Sequence, residues 1–201
     1  MLWGSLIVTA LVIYFTQFLP FNYTVNSSLY AGITNSTNLD GTELLNINST
    51  FDNIINIAKS KSTLEKVSIR LLATNLVHGD EWKDNMYIQA KHYRQLVQAT
   101  PKEVLALVDR SSVDKTTENL TKYRKESGQN YIYAIFSRPT AYYSYAALNT
   151  IDVKRLGTSD LIEINYTTTD PGIAQNTVKI LEDELMKAYE ILRFSATNNV
   201  I

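Results

Sequence analysis

The chain contains no cysteine. That excludes disulfides, thiolate nucleophiles and cysteine metal sites. Histidine is nearly absent too, and His78 and His92 are the only two. Without cysteine, their spacing matches no zinc-ligand pattern, so we read both as surface or capping residues and expect no metal. Charge is missing from one whole region. Residues 1–39 hold no Asp, Glu, Lys or Arg, and the first basic residue is Lys59. Formal net charge is -1, with no basic run, so nucleic acid is not an expected partner. There is no G-x-S-x-G, P-loop or H-E-x-x-H pattern, and we expect neither catalytic residues nor a cofactor.

What is present is an apolar opening. Leu2 to Pro20 is apolar except for Ser5, Thr9, Thr16 and Gln17. About 20 residues at ~1.5 Å each cross a ~30 Å hydrocarbon core, so residues 1–21 read as a transmembrane helix. Trp3 near one end, and Phe18, Phe21 and Tyr23 near the other, fit interfacial aromatic belts. A cleaved signal peptide would want a basic start and a small-residue cleavage site, and neither is evident.

Residues 22–170 read as one α/β domain. Tyr23, Val25, Ser27, Leu29, Ala31 and Ile33 alternate as a strand. Thr34 to Gly41 reads as a polar loop. Asn48-Ser49-Thr50 offers caps for a short helix, and Ser62 and Thr63 offer caps for the next, which ends near Gly79. Weaker helical patterns follow over Met86 to Thr100, after Pro101 and over Thr116 to Ser127. Tyr131 to Phe136 is either strand or helix. Ile151 and Val153 begin a hairpin that turns at Gly157 into Leu161–Thr167, where Ile162, Ile164 and Tyr166 share a face. Asp170-Pro171 then starts a long helix over 171–201, because Asp is a preferred N-cap and Pro suits the first helical position. Ala174, Val178, Leu181, Leu185, Ala188 and Leu192 form a heptad seam that can pack against this domain or against another subunit. The expected fold is α+β: a mixed sheet of the N-terminal strand and the C-terminal hairpin, several helices, and a long C-terminal helix. Its N- and C-terminal strands would bring both chain ends to one side.

Ser159-Asp160-Leu161-Ile162-Glu163-Ile164, followed by Asp170-Pro171-Gly172-Ile173-Ala174, resembles the chain-length determinant family, also called polysaccharide co-polymerases. The likeness is to the exopolysaccharide-export branch. It reaches back to the apolar opening and the strand after it, while the middle of the chain matches in layout. The resemblance implies a bacterial inner-membrane protein with its main domain in the periplasm. It also implies a ring-like homo-oligomer, working with a polysaccharide polymerase and outer-membrane export machinery to set chain length. Ser159, Asp160, Asp170 and Pro171 are then structural landmarks. Members of that branch can carry a cytoplasmic tyrosine kinase after a second membrane helix. No kinase motif occurs here, and we expect the parent protein to continue on both sides of this segment.

Other features have ordinary readings. Asp80 with Glu81, and Glu182, Asp183 and Glu184, are carboxylate clusters of the kind glycosidases use, but they read as solvated faces. Tyr131, Tyr133, Tyr142, Tyr143 and Tyr145, with Arg138 among them and Lys154 and Arg155 after, can bind a sugar polymer or simply pack a core. Sequons at Asn22, Asn26, Asn35, Asn48, Asn119 and Asn165 read as a by-product of Asn- and Thr-rich composition. An extracytoplasmic sensor domain of a membrane receptor is the alternative function.

Overall fold

The structure, a computed structural model, describes residues 2–16, 21–31 and 41–198. It is α+β, with nine helices and one antiparallel three-stranded sheet among those residues. The helices are α1 (Leu2–Thr16), α2 (Gly41–Lys59), α3 (Lys61–His78), α4 (Ala90–Ala99), α5 (Lys102–Leu105), α6 (Val113–Glu126), α7 (Tyr131–Ser137), α8 (Tyr145–Leu148) and α9 (Pro171–Asn198). The strands are β1 (Tyr23–Tyr30), β2 (Asp152–Arg155) and β3 (Leu161–Thr168).

β3 lies between β1 and β2 and is antiparallel to both, so the sheet is not mixed. A tight hairpin can only join antiparallel strands, which fixes β2. β1 pairs so that Tyr23 faces Thr168 and Tyr30 faces Leu161. Alternation then decides the faces. Ile162, Ile164 and Tyr166 are buried, opposite Leu29, Ser27 and Val25. The outer face is polar. Glu163 accepts from Asn26 Nδ2 at 2.8 Å and pairs with Lys154 at 3.1 Å, joining all three strands.

α9 covers the inner face. It leaves the end of β3 and runs back along the sheet. Glu182 accepts from Ser27 at 2.5 Å, and Leu185 and Tyr189 reach the Leu29–Ala31 end of β1. The ends of β1 and β3 do share an edge. However, α9, with 28 residues, is about 42 Å long, and the eight-residue strands are about 26 Å. The helix therefore carries its C-terminus to the opposite end of the sheet, not back to the α1 side.

α3 is buried behind α9. Leu64, Val67, Leu71, Leu72, Ala73 and Leu76 are all at most 1% exposed. A helix with apolar residues on most sides belongs inside, and α2, α6, α8 and α9 enclose this one.

Several local expectations are corrected. α2 starts at Gly41 and runs through Asn48-Ser49-Thr50, because Leu44, Ile47, Phe51 and Ile54 keep one helical spacing across them. The cap of α3 is Ser60, which accepts from Thr63 N at 3.2 Å, not Ser62 or Thr63. Gly79 has φ -62, so no left-handed turn calls for glycine there. A Cβ at Gly79 would instead fall 2.0 Å from the Tyr93 ring. Tyr131 to Phe136 is helical, with Asn130 capping Tyr133 N at 3.1 Å.

The described part of α1 has 15 residues. Among the described residues, no helix is long and apolar enough to cross a membrane. Residues 17–20, which belong to the expected span, lie outside the described residues, as do Ile33 and the 34–40 loop. Within α1, Val8, Leu11, Val12, Ile13 and Tyr14 are each at least half exposed.

Candidate functional site: the Asp170 corner and the tyrosine cleft

Where β3 gives way to α9, Asp170 is completely buried. Its Oδ1 accepts from Gly172 N at 3.0 Å and Ile173 N at 3.1 Å, which caps α9, with Pro171 in the first turn. Its Oδ2 accepts from Gln89 N at 2.9 Å and meets His92 Nδ1 at 2.7 Å. A carboxylate surrounded by N–H groups can only accept, so Nδ1 of His92 bears the proton. In the neutral ring this leaves Nε2 to accept from the Tyr142 hydroxyl at 3.2 Å. That hydroxyl also lies 2.8 Å from Thr169 Oγ1. One corner thus ties α4, the 140–143 segment, the end of β3 and the start of α9 together.

The fit is close. A Cβ on Gly172 would lie 2.6 Å from the Tyr87 carbonyl carbon and 2.9 Å from Ile88 N. Glycine therefore lets α9 press directly on the backbone that leads into α4. Asn176 Nδ2 adds a bond to Met86 O at 2.9 Å.

Beside this corner lies a cleft of about 330 Å³ between α4, α7 and residues 140–143. Leu96, Ala99, Ala134 and Ile135 give it apolar walls, and Tyr131 and Tyr142 line it with half-buried rings. Tyr143 also lines it. It is buried, and its hydroxyl accepts from Asn75 Nδ2 at 2.9 Å. Burial pushes the Tyr131, Tyr142 and Tyr143 phenols above their ordinary value. For Tyr142 the bond to Thr169 opposes that shift and the nearby Asp170 charge adds to it. These groups are therefore phenols near neutral pH, suited to hydrogen bonding and ring stacking rather than nucleophilic attack.

Ser159 shapes the β2–β3 turn by donating to Leu156 O at 2.6 Å, and Gly157 takes the left-handed conformation at φ 58. Asp160 is buried, and its carbonyl accepts from Ala31 N at 2.8 Å. Arg155 holds the turn from inside, donating to Ser159 O at 2.8 Å and Thr158 O at 3.0 Å while lying over the Phe51 ring. In the α9 seam, Ala174, Val178, Leu181 and Leu185 are buried within this domain. Ala188 is half-buried, and the side chain of Leu192 lies outside the described residues. The two sequence landmarks, the turn and the Asp170 corner, are thus at opposite ends of β3. Asp80 caps Trp82 N at 2.7 Å and Lys83 N at 3.0 Å; those backbone bonds hold its carboxyl below the usual range.

His92 was not legible as a site residue. It is not a surface histidine; its side chain is 12% exposed and joined to Asp170. Its partner stands on a different element far along the chain, so no local spacing signals the pair. His78 stacks on Tyr87, with ring centroids 4.2 Å apart. Among the described residues, no cluster of His, Cys, Asp and Glu could hold a metal ion. Comparisons with protein-family models, curated proteins and solved structures return no match.

Proposed function

We propose that this chain is the extracytoplasmic domain of a bacterial polysaccharide co-polymerase, anchored in the inner membrane through residues 1–21. It is non-enzymatic. It assembles as a homo-oligomer, acts beside a polymerase and export machinery, and sets the length of a surface or extracellular polysaccharide. The observation that carries this reading is the path of the chain at the Asp170 corner. β1 follows the apolar helix, pairs with β3, and β3 feeds through Asp170-Pro171 into a helix that runs away from that edge. Such a path suits a domain with its sheet edge at the membrane and a long helix projecting outwards. The half-exposed apolar side chains of α1 suit insertion in lipid.

The test is a gel profile of surface polysaccharide from cells lacking the gene and cells with it restored. Length control predicts a modal length that is lost or shifted on deletion and recovered on restoration. An unchanged profile overturns the reading. The cleft favours one second reading, an extracytoplasmic sensor domain, because a pocket of this size and polarity suits a small ligand. The sensor reading predicts an unchanged polysaccharide profile together with a transcriptional response that disappears on deletion.

A further inference from the structure

The cleft beside the Asp170 corner has a chemical preference of its own. Among the arginines whose side chains are described, Arg70 pairs with Asp114, Arg124 with Glu65, and Arg94, Arg110 and Arg155 bond to backbone or side-chain oxygens. Arg138 lines the cleft, is exposed, and has no such partner among the described residues. It follows the last turn of α7, and its backbone N–H bonds back to Ala134 O at 2.9 Å, so its main chain is fixed. Gln95, on α4, also lines the cleft, and its amide likewise has no protein partner among the described residues. The Tyr131 and Tyr142 rings and apolar side chains line the same cleft.

We propose that this cleft binds a carboxylated sugar ring, a uronate unit. The guanidinium matches a carboxylate in a two-pronged geometry. The apolar C–H face of a pyranose packs on the tyrosine rings. Ring hydroxyls satisfy the Gln95 amide, which accepts and donates. A cleft of about 330 Å³ is at the small end of ligand sites, which limits the bound part to about one ring with its neighbours outside. A plain aromatic acid would engage Arg138 and the tyrosines but leave the Gln95 amide unmatched. This inference stands on the cleft's own residues, so its failure leaves the length-control reading to its separate cell-based test.

The experiment is calorimetric titration of the full chain in phosphatidylcholine nanodiscs with digalacturonate, its methyl ester, maltose and benzoate. Saturable binding of digalacturonate is expected. The methyl ester should bind about tenfold more weakly or worse, as should digalacturonate to Arg138→Gln, because each loses a charge-assisted hydrogen-bond pair. Arg138 is exposed, so Arg138→Gln should keep the circular dichroism spectrum of the parent chain. Ala134→Phe fills the cleft without changing charge and should abolish binding. The proposal is overturned if digalacturonate shows no saturable binding. It is equally overturned if the ester or maltose binds as well as the acid, if either variant binds like the parent chain, or if benzoate binds more tightly than the sugar acid.

Discussion

The buried Asp170 carboxylate gathers four hydrogen bonds at one corner. It caps α9, and the same carboxylate fixes Gln89 and His92. Asp170→Ala removes every one of those acceptors from a fully buried position and should destabilise the fold by about 2–4 kcal/mol, measured by urea denaturation. Asp170→Asn keeps one oxygen and should cost less. Gly172 sets a second demand at the same corner. Gly172→Ala places a methyl 2.6 Å from the Tyr87 carbonyl carbon, so backbone must shift, at roughly 1–3 kcal/mol. Gly128→Ala is the control, since a Cβ there meets nothing within 4 Å, and it should stay within about 0.5 kcal/mol of the parent chain. The tyrosines make a pH prediction. Burial raises the Tyr166 phenol from 10.0 to about 12, so the folded state holds that proton more tightly than the unfolded state does. Its contribution is fully present below pH 10 and is lost as pH rises towards 12, by about 2–3 kcal/mol for this group. Denaturation at stepped alkaline pH, with phenolate absorbance followed in parallel, checks it. Stability that is flat across that window would contradict the burial of Tyr166.

The elements differ in how much of them could be read in advance. β3 and α9 were legible because strong local signals coincide. Ile162, Ile164 and Tyr166 keep a strict period of two, and Asp170-Pro171 supplies a cap and a first-turn residue together. Tyr131 to Phe136 was ambiguous because a short apolar run fits either strand or helix, and tertiary packing of Ile132, Ile135 and Phe136 decides it. The start of α2 was missed because Asn48-Ser49-Thr50 are good caps that also tolerate a helix interior when an apolar face continues past them. The seam of α9 left two outcomes open, and burial by this domain separates them as far as Leu185. Leu181→Ala should therefore cost about 2–5 kcal/mol as a cavity in the core. Met186→Ala, on the 51% exposed side, should cost no more than about 0.5 kcal/mol. Thermal unfolding of the two variants side by side tests the orientation of the helix.

At the scale of the molecule, the sheet is a narrow platform with one polar face and one face sealed by α9, while α3 anchors the helical layer behind. The candidate site was less legible than the fold. Tyr142 and Arg138 stand in a tyrosine-rich stretch of the sequence, but the cleft exists only because α4 and α7 approach across many residues of chain. His92 and Gln95 reach it from an element with no distinctive motif. The proposed role places this platform at a membrane with α9 pointing away from it, and it depends on the corner that joins them. The most direct measurement is the modal length of surface polysaccharide in a deletion strain restored in parallel with the parent chain and with Asp170→Ala. Length control predicts recovery of the modal length by the parent chain and a shifted or blurred distribution with Asp170→Ala. The same profile in the deletion strain and in both restored strains would contradict it.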